Sequence, residues 1–78
     1  MNEYIAIDVI TRKLVDHGYR MNSIDWIAFK HLALGASMVY EARELCEFID
    51  QLHANRDEVV SNFEKMHNSI AAQMHTRA

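Results

Sequence analysis

Proline is absent from the 78 residues, glycine occurs only at Gly18 and Gly35, and Cys46 is the single cysteine. Each scarcity removes a class of structure. One cysteine cannot form an internal disulfide, and its place beside an apolar stripe reads as an inert buried thiol suited to a reducing compartment. No run approaches the roughly 18 apolar residues that a membrane-spanning helix needs. The first residues, Met1 to Lys13, have neither the basic start nor the unbroken apolar core of a signal peptide, so the expectation is a soluble, cytoplasmic protein.

Positive charge is also scarce. Eight Lys and Arg stand against eleven Asp and Glu, a net charge of −3. Such a balance repels phosphate backbones and leaves no basic patch to release counterions, which argues against nucleic acid as the main ligand. There is no glycine-rich phosphate loop and no nucleophile elbow. On a continuous helix Cys46 and His53 would sit two turns apart, about 10 Å of rise, too far for one to activate the other. We therefore expect no enzyme and no cofactor.

What the chain has is helix. With proline missing and glycine rare, helix is the default over most of the length. The first spans about residues 3–17, with Ile7, Ile10 and Leu14 on one face, Asn2 at its start and Gly18 just past its end. The β-branched run Tyr4 to Ile10 resembles a strand, but nothing else in the sequence would pair with it. A second helix, capped by Asn22 or Ser23, carries Trp26, Ile27, Phe29, Leu32 and Leu34 almost all round, as a central element does. It runs over about 23–53 unless Gly35 breaks it.

From Met38 onward one seam steps by four and three residues: Met38, Ala42, Leu45, Ile49, Leu52, Arg56, Val59, Phe63, Met66, Ile70 and Gln73. Arg56 does not belong in a core. A turn at Asn55 and Arg56 removes it, with Asn55 in a left-handed conformation and Asn55 and Glu58 at capping-box spacing. The expected fold is thus all-α: a small helical bundle, one domain over residues 1–78, ending in an antiparallel helical hairpin whose last helix spans about 57–75, with residues 75–78 fraying. Its core, within one chain or between two, comprises Met38, Ala42, Leu45, Ile49, Leu52, Val59, Phe63, Met66 and Ile70. A chain this short buries only about 60% of its unfolded surface, so a second copy is the stabilising device that remains. Homodimerisation is expected.

Three constellations bear on function. Asp50 and His53, like Glu64 and His67, place an acid three residues before a histidine, a spacing used in helix-bundle metal centres. No further inward carboxylates complete a shell, so metal binding is the remotest reading. The segment Leu14 to Ile27 has the outline of a helix-turn-helix and makes a dimeric DNA-binding regulator the runner-up. Its second helix, however, offers few base-reading residues. Tyr40 stands on the polar side of the seam among Glu41, Glu44, Glu47 and Asp50, an amphipathic ring in an acidic setting. The reading that follows is a protein-binding module. It would act as an inhibitor, adaptor or antiactivator of a larger regulator or enzyme by steric occlusion, as small phage and mobile-element proteins do, with these five residues as the partner contact.

Overall fold

In the computed structural model, residues 1–76 are described, with side chains described through Ile70. All regular structure among them is helical: α1 Glu3–Asp16, α2 Ile24–Ala36, α3 Ala42–Ala54 and α4 Arg56–Thr76. No described helix is long and apolar enough to cross a membrane. The tail expected to fray, residues 75–78, is helical through Thr76, because α4 continues its hydrogen-bonded turns to that point; Arg77 and Ala78 lie outside the described residues, as do the side chains of Gln73 and the rest of the chain beyond Ile70.

Local chemistry accounts for each boundary. Asn2 accepts the Ile5 amide at 2.9 Å and opens α1, and Ser23 accepts the Trp26 amide at 3.2 Å and opens α2. After α1, Gly18 adopts φ 84°. Its amide donates to the Val15 carbonyl at 2.9 Å and the next amide, Tyr19, reaches back to Leu14 at 3.0 Å. These two bonds make a Schellman motif, which requires the left-handed residue that glycine supplies without strain.

The stretch 23–53, expected as one helix unless Gly35 broke it, is two helices. Gly35 sits inside the last turn of α2 with an ordinary φ, so glycine geometry is not what ends it. The Ser37 hydroxyl donates to the Leu34 carbonyl at 2.6 Å, and the chain turns through residues 37–41. Glu44 then accepts the Glu41 amide at 3.4 Å and starts α3. Met38, the first residue of the expected seam, consequently lies in this turn, 86% exposed.

The break at Asn55 is one residue wide. Its backbone has φ −111° and ψ 28°, not the left-handed conformation expected, and its side-chain amide donates to the Gln51 carbonyl at 3.0 Å. Past this corner α4 packs chiefly on α2 and more sparsely on α3. The order of contacts gives the arrangement. Asp25 meets Arg56 and His31 meets Phe63, so α2 and α4 run in the same sense. Asp50 meets Lys13 and His17, and Tyr19 meets His53, so the path from α1 into its turn also runs with α3.

The core is drawn from three helices. Ala6, Ile10 and Leu14 of α1, Trp26, Phe29 and Ala33 of α2, and Leu45, Ile49 and Leu52 of α3 form one buried cluster. On α1 it is Ala6 rather than Ile7 that is buried, with Ile7 half-exposed. Helix α2 touches all three other helices, as its apolar circumference demands. From Glu64 through Ile70 every side chain of α4 is exposed, so this helix runs on beyond its neighbours. The molecule accordingly measures 43 × 24 × 18 Å.

Candidate functional site

Two surfaces and one polar cluster stand out. The cluster lies where the α1–α2 turn meets the α3–α4 corner. Asp50 accepts from Lys13 Nζ at 2.7 Å and approaches His17 Nε2 at 2.8 Å. The His17 ring stacks on His53, with centroids 4.0 Å apart and planes 19° from parallel. His53 Nδ1 lies 2.6 Å from the Tyr19 hydroxyl, whose ring meets the buried Phe29 edge-on at 5.0 Å. Arg56 closes the far side by donating from Nε to Asp25 at 2.8 Å.

Electrostatics follow from these contacts. Hydrogen bonds from Lys13 and His17 hold the Asp50 carboxyl below its ordinary range, and the same bond from the other side raises Lys13. Burial pushes the Tyr19 phenol up. The Asp25 carboxylate raises Arg56 further above an already high value. Every member of the cluster named here is engaged by another, and together they clamp α1, α2, α3 and α4. Among the described residues no group of three or more His, Cys, Asp and Glu is arranged to hold a metal ion. His53, one half of the suggested metal pair, is turned toward Tyr19, and Asp50, the other half, toward α1.

The five residues expected to form a partner contact do not share one surface. Tyr40 precedes α3 rather than standing on its polar face, and it is half-buried with its ring 5.8 Å from that of Phe48. Around this pair Glu44, Glu47 and Gln51 complete a shallow concavity. Glu41 is beside it as the cap residue of α3. Asp50 is elsewhere, in the clamp. Acids spaced by three drift about 60° round the helix at each step, so by the third step from Glu41 the row has come round to Asp50, within reach of α1.

The seam divides similarly. Leu45, Ile49 and Leu52 are core, and Val59 and Phe63 are half-buried. Ala42 is exposed in the first turn of α3, and Met66 and Ile70 are about half-exposed on α4. Between α2 and α4 a groove is lined by Leu32, Val59, Asn62, Phe63 and Met66, and its walls are mostly apolar. In the helix-turn-helix outline, α2 spends Trp26 and Phe29 on the core and Asp25 on Arg56, and leaves Lys30 and His31 outward.

Sequence reasoning singled out Asp50 and His53 but missed Lys13, His17, Tyr19, Asp25 and Arg56 as their companions. The one available signal was Arg56 itself, a charge on an apolar seam that had to find a carboxylate somewhere. No family model, no curated protein and no solved structure matches this chain.

Proposed function

We propose that the chain is a small protein-binding module that works as a dimer and acts by steric occlusion. In this reading it inhibits, adapts or counteracts a larger regulator or enzyme, in the manner of phage and mobile-element antiactivators. It operates by association and carries out no chemistry. The observation that carries the reading is the Tyr40–Phe48 concavity with its rim of Glu44, Glu47 and Gln51.

An aromatic floor offers area that is costly to leave in water, and carboxylates around it select a basic partner surface and speed encounter. On the rim Glu44 also caps α3, and Glu47 is the carboxylate available for that purpose. Glu47 has only an exposed, long contact to Arg43, at 3.6 Å, the kind of ion pair that holds a side chain weakly.

The test is affinity capture in the native host with wild type and with the triple variant Tyr40→Ala, Glu44→Gln, Glu47→Gln. Glutamine at 44 keeps the helix cap, and circular dichroism verifies the fold. Loss of one specific protein from the triple variant supports the reading. Retention of every captured protein shows that the surface is elsewhere.

A further inference from the structure

Resting on the reading of the chain as a dimer, we propose that a second copy of this chain docks antiparallel along α4, placing Ile70 of each copy over Val59 of the other and Met66 over Phe63. Helix α4 has two unlike halves. Its first half, with Leu32 of α2, forms the apolar groove that Met66 closes at one end; its second half carries Met66 and, beyond the groove, Ile70, both about half-exposed. Among the described residues nothing fills the groove, and Ile70 lies outside it.

A twofold axis across α4 fills the groove and covers Ile70 at once. Val59 lies as far before Phe63 as Ile70 lies beyond Met66, so one register satisfies both pairs. In heptad terms Phe63 and Ile70 are a positions and Val59 and Met66 are d positions, and antiparallel helices stack a on d. A parallel pair would set Ile70 against Ile70 away from the bundle and leave the groove beside Leu32 unfilled.

Charge points to the same occupant. The positions flanking this stripe are Val60, Asn62, His67 and Ser69, none bearing a fixed charge, while Asp57, Glu58, Glu64 and Lys65 fall on the opposite side of the helix. An isologous contact brings each patch against its own copy, so like charges at the flanks would repel. Here there are none. A surface meant for a strongly charged partner would carry the complementary charge at those flanks.

Light scattering and sedimentation across dilution, on the full chain without a tag, test the proposal. Wild type should dimerise, and Met66→Glu with Ile70→Glu should be monomeric with unchanged helix content, because both side chains are already half in solvent. Two double variants test the register, since it sets Asn62 against Ser69 of the second copy. Asn62→Glu with Ser69→Lys should dimerise at least as well as wild type, whereas Asn62→Glu with Ser69→Glu should dissociate roughly fivefold more readily at low salt. Equal dimerisation of the two doubles overturns the register while leaving the dimer standing. A monomeric wild type at every concentration overturns the proposal and the dimer together. A monomer that takes up another protein through Met66 and Ile70 shows a different occupant.

Discussion

Tyr19 and His53 come within 2.6 Å of each other, hydroxyl oxygen to Nδ1, across 34 residues of sequence. The contact ties the turn after α1 to the last turn of α3, two residues before the corner at Asn55 from which α4 departs. Tyr19 reaches that point because Gly18 sends the chain back over the helix end. Its ring then rests against Phe29 of the core. A local backbone motif thus decides where a long-range contact is made.

Tyr19→Phe keeps the ring and removes the hydroxyl, so it should cost about 1 kcal/mol, the usual net worth of one hydrogen bond. Tyr19→Ala also removes the packing and should cost roughly 3 kcal/mol. Urea denaturation at neutral pH measures both. Equal losses for the two variants would mean that the bond and not the ring holds the turn.

Gly18 and Gly35 should respond oppositely to alanine. Neither has an atom within 4 Å of where a Cβ would stand, so backbone alone decides the sign. At Gly18, with φ 84°, alanine is strained and should lower stability by about 1 kcal/mol, with asparagine costing less. At Gly35, inside a helical turn, alanine should raise stability by about 0.5–1 kcal/mol. Thermal unfolding of the two single variants gives the comparison.

Acid should weaken the clamp through Asp50. Its folded value is depressed, so the stability it contributes is fully present above the unfolded carboxylate value, near 3.9, and is lost as pH falls through the folded one. Lys13 is raised, so its share is present below the unfolded lysine value, near 10.4, and lost as pH climbs through the folded one. Asp50 is half-exposed, and solvent screening keeps the contribution to at most about 1 kcal/mol. The stability difference between wild type and Asp50→Asn should be present at neutral pH and shrink below about pH 4. A difference that persists unchanged at pH 2 would show that Asp50 acts by shape and not by charge.

Leu45 and Met66 belong to one seam but should behave as different kinds of residue. Leu45 is fully buried, and Leu45→Ala should cost about 2–5 kcal/mol, enough to unfold a marginal domain. Met66 is about half-exposed, and Met66→Ala should cost under about 1 kcal/mol at dilutions where the protein is monomeric. Chemical denaturation with light scattering on the same samples separates the two effects. A large loss for Met66→Ala in the monomer would place it in the fold's own core.

Much of the architecture is local in origin, and that part was legible. Asn2, Ser23 and Gly18 are boundary residues by their own chemistry, and the four-three spacing of Leu45, Ile49 and Leu52 marks a buried stripe wherever its partners come from. The break falls after Ala36, one residue beyond Gly35, and its chemistry lies in Ser37 and the Glu41–Glu44 pair, which are weaker signals in a sequence than glycine. Tyr40 was put on a helix that had not yet begun. Seam periodicity carried Met38 into the core for the same reason, since a repeat of sevens runs through a turn without registering it.

Composition and spacing alone therefore determined that this chain is helical, which side of each helix is greasy, and that Arg56 must leave the seam. Only the folded chain decided which helix each side meets. Such pairings depend on how the turns aim successive helices, and a shift of one residue at a turn rotates everything after it by about 100°. That is why α4 lies along α2, why His17 and Tyr19 converge on Asp50 and His53, and why Met66 and Ile70 are left half-exposed.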